Sequence, residues 1–207
     1  MDSILVWNIR GIGNQRSIRT ATRLINSHKS WIVVILEPMI ADEKRVKTGL
    51  KLGFHSLSNV AEGDKIWLFY QNHISASIIV SSSQSLTLAV NFQQFTSPMY
   101  LTFVYASCDR YRRTLLWQEL SVLSRSLQGM WAVSGDFNAV TDTSERRSRS
   151  HQSSPSSEEL VAAINDVGLM DVGFVGPRFT WCNNQAGASK RPFGSEAFQI
   201  SADVNPP

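Results

Sequence analysis

Residues Met130–Val140 read MWAVSGDFNAV: an apolar run suited to a buried strand, broken at once by a Gly, an Asp and an Asn. The stretch predicts a strand that emerges from a core carrying a carboxylate and an amide. The same pattern occurs three more times. Asn8 follows LVW, Glu37 follows VVIL, and Tyr105 closes LTFV. A sheet gathers the ends of its strands along one edge, so polar residues placed there converge without any further device.

The rest of the chain supplies the scaffold. Ile4–Trp7 (ILVW) and Trp31–Leu36 (WIVVIL) are short β-branched runs of the kind found in strands buried on both faces. Between them Gln15–His28 spaces Ile18, Ala21, Leu24 and Ile25 at three and four residues, which predicts a helix covering the sheet. Ile66–Tyr70, Ile74–Val80, Leu86–Phe92 and Met99–Ala106 follow at hairpin-like spacing and predict an antiparallel meander. A second helix is expected over Arg112–Gln128, with Leu115, Leu116, Leu120, Leu123 and Leu127 on one side, and a third over Glu158–Val167, stopped by Gly168.

Asp142–Ser157 is almost devoid of apolar residues and is expected to be a mobile surface loop. Gly176–Asn184 (GPRFTWCNN) reads as a turn followed by a strand, and after Lys190 the periodicity disappears. Helices set apart from a strand-rich middle predict a four-layer α/β sandwich, with two packed, mainly antiparallel sheets flanked by helices. One domain over residues 1–190 and an irregular tail over 191–207 are expected.

At 207 residues, 43% hydrophobic and 18% charged, the chain has material for one large core. Its net charge of +3 tolerates a polyanionic partner without demanding one. Cys108 and Cys182, far apart in a chain that opens without a signal-peptide pattern, read as free thiols in a reducing compartment, nuclear or cytoplasmic. No apolar run approaches the roughly 18 residues that span a bilayer, so no membrane partner is expected. His28, His55, His73 and His151 lack the spacing of a zinc site.

Each polar strand end also has a plain reading. Asn and Asp are common turn formers, Glu37 before Pro38 suits a solvated strand end, and Tyr105 suits a rim aromatic. Arg10, Arg16, Arg19, Arg110, Arg112 and Arg113 lie near these motifs, where they could meet a nucleic-acid backbone or form solvated helix faces. Arg146–Arg149 reads as soluble surface.

The order of the motifs narrows the choice. LVWNIRGIGN, VVILEP, FVYASCDRYRR, SGDFNAV and GPRFTW resemble successive motifs of the endonuclease/exonuclease/phosphatase superfamily, the DNase I-like fold. Within it they are most similar to the endonuclease domain of plant non-LTR (LINE-type) retrotransposons, where KIWLFY and FTWCNN also find counterparts. The resemblance covers Ile4 to Lys190. It implies a Mg²⁺-dependent phosphodiesterase acting on DNA, with Mn²⁺ as an alternative ion. Glu37 would be the main metal ligand, with Asn8 close to metal and phosphate. Asp136 would orient and deprotonate the attacking water, while Asn138 and Tyr105 would contact the phosphate. Of the basic residues beside the motifs, Arg10, Arg110 and Arg113 are, by position alone, the candidates to meet the nucleic acid.

The family completes its site with an Asp in an Arg-Leu-Asp-Arg-like segment and a late Ser-Asp-His triplet. Neither occurs after Lys190, and no His follows His151. The tail reads as a frameshift, altered splice or truncated frame. Impaired or absent catalysis is expected, since loss of an acid/base group removes about 10²–10⁴ in rate. The missing final strands would leave a sheet edge open to a protein partner. Two alternatives stand beside the nuclease: a non-catalytic remnant that binds nucleic acid or a protein, and a phosphoesterase for a lipid or small molecule.

Overall fold

The computed structural model describes residues 3–56, 65–92, 95–139 and 155–171, with the strand segments 181–182, 192–193 and 200–202. The chain opens with β1 (Ser3–Asn8), α1 (Gln15–His28), β2 (Ser30–Leu36), α2 (Arg45–Leu52), β3 (His55–Ser56) and β4 (Ile66–Tyr70). It continues with β5 (Ser75–Ser81), β6 (Ser85–Asn91), β7 (Met99–Tyr105), α3 (Arg110–Ser126), β8 (Trp131–Asp136) and α4 (Pro155–Asp166). Four short strands follow: β9 (Met170–Asp171), β10 (Trp181–Cys182), β11 (Pro192–Phe193) and β12 (Ile200–Ala202).

One sheet has the order β1-β2-β4-β3 and the other β5-β6-β7-β8-β12-β9, while β10 and β11 form a separate ribbon. Strand alternation divides the core into three layers. Ile32, Val34, Leu36, Ile66 and Leu68 of the first sheet meet Leu86, Leu88, Val90, Leu101 and Phe103 of the second. The opposite face of the first sheet, Val33, Ile35, Trp67 and Phe69, is covered by Ala21 and Ile25 of α1 and Leu52 of α2. The outer face of the second, Val104, Trp131 and Val133, is covered by Leu116, Leu120 and Leu123 of α3 and Leu160 of α4. The result is helix, sheet, sheet, helix, the four-layer sandwich expected. Within the outer layer of the second sheet Thr87 and Thr102 pair across the strands at 2.9 Å, and the Trp131 indole N–H donates to Thr102 at 2.9 Å, so this buried polar trio satisfies itself.

Each sheet contains one parallel pair among its described strands: β1 runs with β2, and β7 with β8. Parallel strands present the same end to the same side, and their long connections are carried by α1 and α3. The pairing register sets Asn8 opposite Leu36 and Tyr105 opposite Asp136. Four strand ends are thereby brought to one rim.

Several expectations change. Ile66–Tyr70 does not join the meander but pairs antiparallel with β2 in the first sheet; its first four residues are buried without alternation, as a strand covered on both faces requires. The meander proper is β5-β6-β7. The second long helix begins at Arg110, capped by the Asp109 carboxylate accepting from the N–H groups of Tyr111 and Arg112. The third begins at Pro155, a residue suited to a first helical turn, so Pro155–Ser157 belong to α4. The remainder of the polar stretch, 142–154, lies outside the described residues. The sequence pattern missed α2, because Gly49 and three basic residues interrupt its apolar spacing. Gly49 is there for room: a Cβ would lie 2.8 and 2.9 Å from the Phe69 ring.

In the tail, Ile200–Ala202 pairs antiparallel with both β8 and β9. The edge beside β8, expected to be open, is thus occupied over three residues. No described helix is long and apolar enough to cross a membrane.

Candidate active site at the strand ends

Alternation explains how three of the polar residues arrive. Asn8 continues the inward series Ile4 and Val6 on β1, Tyr105 continues Leu101 and Phe103 on β7, and Asp136 continues Ala132 and Ser134 on β8. All three emerge between the sheets at the same rim. Glu37 would alternate outward with Ile35, but its φ of +51° breaks the strand and turns the side chain inward.

The contacts are direct. The Asn8 amide nitrogen donates to Glu37 Oε1 at 2.9 Å and to Asp136 Oδ2 at 2.9 Å. The Tyr105 hydroxyl donates to the same Glu37 oxygen at 2.9 Å. Arg10 Nε lies 3.9 Å from it, with the Arg10 side chain 47% and the Glu37 side chain 13% exposed. The backbone N–H of Asn138 donates to Asp136 Oδ1 at 3.0 Å, and the Asn138 amide is anchored on the Ala106 carbonyl at 2.7 Å. Asn138 therefore acts as the turn former its residue type suggests and fixes the Asp136 carboxylate while doing so.

Backbone geometry is unusual here. Arg10, Glu37, Met39 and Asn138 all have φ between +48° and +52°, a region that costs a residue with a Cβ about 1–2 kcal/mol. The surrounding loops compensate by hydrogen bonding to each other. The N–H of Gly11 donates to the Glu37 carbonyl and that of Ile12 to the Pro38 carbonyl, both at 2.9 Å, and the Glu37 N–H donates to the Lys65 carbonyl at 3.0 Å. Strain concentrated at one rim is what a site held for chemistry looks like.

Burial, first, and the hydrogen bond to Glu37, second, push the Tyr105 hydroxyl well above its ordinary value. It stays a proton donor at neutral pH. An ultraviolet titration of the wild type against Tyr105→Phe should place the missing tyrosine step above the ordinary pH of about 10. The linkage has a definite sign: folded Tyr105 holds its proton where an unfolded tyrosine has lost it, so its contribution to stability is complete below about pH 10 and declines above. A Tyr105 step at or below pH 10 would contradict the contact with Glu37.

The structure thus gathers Asn8, Glu37, Tyr105, Asp136 and Arg10, with Asn138 as brace. Arg113 is a correction. It is 2% exposed, and its guanidinium donates to the carbonyls of Ser107 and Cys108 and to Ser156 Oγ. It ties the loop after β7 to α4 and has no surface to offer a nucleic acid. The signal was present, since residues 113, 116, 120 and 123 share the buried face of α3. Arg110 stays at the surface, bonded to Glu159 at 2.6 Å; Arg16, Arg19 and Arg112 are exposed, and Arg146–Arg149 lies outside the described residues. Lys65 was passed over in the sequence, yet its ammonium lies 5.6 Å from the centre of the Tyr105 ring.

No described cluster of three or more His, Cys, Asp or Glu side chains could cage a metal. A hard cation needs less. It takes one or two carboxylates and completes its shell with water and substrate oxygens. Glu37 and Asp136 bring two acidic oxygens onto one amide nitrogen, and the buried Asn8 Oδ1 has no hydrogen-bond partner. A lone acceptor beside two like charges fits an oxygen-seeking divalent ion.

The layers and sheet orders are those of the DNase I-like α/β sandwich. Among solved structures, the endonuclease domain of TRAS1, a telomere-specific non-LTR retrotransposon, matches with a TM-score of 0.71 at 12% identity, over 97% of this chain and 84% of that one. An AP endonuclease from Archaeoglobus fulgidus matches with 0.69 at 13%, over 98% and 87%. The AP endonuclease LMAP from Leishmania major matches with 0.72 at 12%, over 97% and 78%. No protein-family profile matches the chain, and no curated protein does.

Proposed function

We propose that the chain binds nucleic acid through its phosphodiester backbone and hydrolyses it slowly with a divalent cation, Mg²⁺ or Mn²⁺. The observation that carries this reading is the meeting of Asn8, Glu37, Tyr105 and Asp136 from four strand ends within hydrogen-bond distance. The motif order and the likeness to the TRAS1 endonuclease domain support a non-LTR retroelement endonuclease as its type, with DNA as substrate.

Glu37, with Asn8 Oδ1, would hold the ion. When bound, such an ion supplies Lewis-acid stabilisation of the charge that grows on the phosphoryl oxygens. Asp136 has Oδ1 fixed by the Asn138 N–H and Oδ2 by the Asn8 amide, and a second lone pair of the carboxylate would orient a water and take its proton. Tyr105, kept protonated, exchanges its bond to Glu37 for one to the phosphate. The Asn138 amide, which spends one hydrogen on the Ala106 carbonyl, has a second that would donate to the same group. Arg10 adds positive charge at the mouth.

No imidazole completes this set among the described residues. His55 pairs with Tyr70 and Trp31 stacks edge-on against His73, both at the far end of the first sheet, and His28 ends α1 at that same end. With water as the proton source for the leaving oxygen, turnover would be slow. The same lack favours a second reading, a nucleic-acid-binding module without turnover. Purified protein incubated with supercoiled plasmid and Mg²⁺ separates them. Nicking that EDTA abolishes supports the hydrolase, and binding without nicking leaves the module. Absence of both would overturn the nucleic-acid assignment.

A further inference from the structure

Lys65 occupies the ladder position opposite Glu37. Leu36 pairs with Ile66 in the antiparallel β2–β4 register, and the next bond along runs from the Glu37 N–H to the Lys65 carbonyl at 3.0 Å. Its backbone therefore fixes the strained turn that aims Glu37. Its side chain then crosses to the other sheet, where the ammonium lies over the Tyr105 ring at 5.6 Å from the centroid. Lys65 is exposed, and among the described residues no carboxylate lies within ion-pair distance of it.

That arrangement is not explained by stability. A cation over an exposed aromatic face is worth about 0.5–1 kcal/mol, and fixing a lysine side chain costs as much as 2 kcal/mol in rotamer freedom. Charge gives a better account. Two carboxylates, Glu37 and Asp136, are matched by one divalent ion, which leaves the charge of each arriving phosphodiester to the basic side chains around the rim. Arg10 already sits 3.9 Å from Glu37 on one side. Lys65 stands on the other side, above the hydroxyl-bearing ring that faces the same site.

We propose that Lys65 is a phosphate-binding residue of this site, its ammonium contacting a non-bridging oxygen of the nucleic-acid backbone as the strand passes over Tyr105. The inference rests on the nucleic-acid reading above and assigns one of its contacts. Lys65 holds the backbone in register with Asp136, and contributes as a point charge with no base preference.

The test is metal-free, so that it does not depend on turnover. Binding of the full chain to a fluorescent DNA duplex is measured in EDTA over a series of salt concentrations, for wild type, Lys65→Met and Lys65→Arg. Each phosphate contact contributes about 0.9 to the slope of log affinity against log salt. The expected result is a slope shallower by about one unit in K65M and restored in K65R, with melting temperatures unchanged. A K65M slope equal to that of the wild type overturns the assignment of Lys65 and leaves the nucleic-acid reading standing. A wild type with no salt-dependent binding overturns that reading and this one together.

Discussion

Replacing Asp136 by Asn should reduce Mg²⁺-dependent nicking of supercoiled plasmid by about 10²–10⁴-fold relative to the wild type, the range for removing a general base. The fold should survive the change. Asn keeps an oxygen for the Asn138 N–H but puts an NH2 group where Oδ2 accepted from the Asn8 amide, so that one bond is lost, at a cost of about 1–2 kcal/mol. For a chain of 207 residues that amounts to a shift of about 2–8 °C in melting temperature. The pairing of a large catalytic loss with a small thermal one is the informative outcome. Removing the Asp136 charge also relieves its repulsion with Glu37, so DNA binding in EDTA should persist or tighten. Nicking by D136N at the wild-type rate would show that some other group activates the water, and the mechanism given above would fall.

The second large effect is structural and concerns Gly135, the residue before that carboxylate. It has φ +147°, where a side chain is strained, and it lies opposite Val104 in the parallel β7–β8 pair. A Cβ there would collide with the Val104 carbonyl oxygen and sit 2.7 and 2.8 Å from the Val104 nitrogen and carbonyl carbon. These are backbone atoms of a central strand, so no side-chain rotation relieves the clash. Overpacking of about 1–3 kcal/mol adds to backbone strain of similar size. Gly135→Ala is therefore expected to destabilise the chain by about 3–5 kcal/mol and to lower its melting temperature by on the order of 10 °C. Gly168→Ala is the control: it also has positive φ, at +69°, but a Cβ there meets nothing within 4 Å. Equal melting temperatures for the two variants would refute the close approach of β7 and β8.

Gly135 illustrates what the sequence could and could not show. MWAVSGDFNAV announced a strand ending in polar groups, and the gathering of strand ends along one edge of a sheet was enough to bring Asn8, Tyr105 and Asp136 to one rim. The four layers followed from helices set apart from a strand-rich middle. The unbroken burial of Ile66–Phe69 carried a signal that the meander reading overlooked: a strand without alternation needs cover on both sides, which a sheet flanked by helices provides. Arg113 was legible too, at a buried position of the α3 stripe.

Glu37 was different. Its inward turn depends on a left-handed φ, and that depends on bonds to Gly11 and Lys65, residues far away in the chain. No local pattern encodes a conformation that distant carbonyls impose. Lys65 was missed for the same reason, because its place beside the site comes from a cross-strand register between β2 and β4.

The span of the Asn8–Asp136 bond, 128 residues, has a bearing on the birth of the protein. Long-range closure is the slow part of folding, and chains emerge from the ribosome with their amino-terminal end first. The first sheet can assemble around β2 and β4 while Asp136 is still unsynthesised, so a half-made chain holds Glu37 and Asn8 without the second carboxylate. The rim is complete only after β8 has docked, which makes that strand the element on which the proposed chemistry waits.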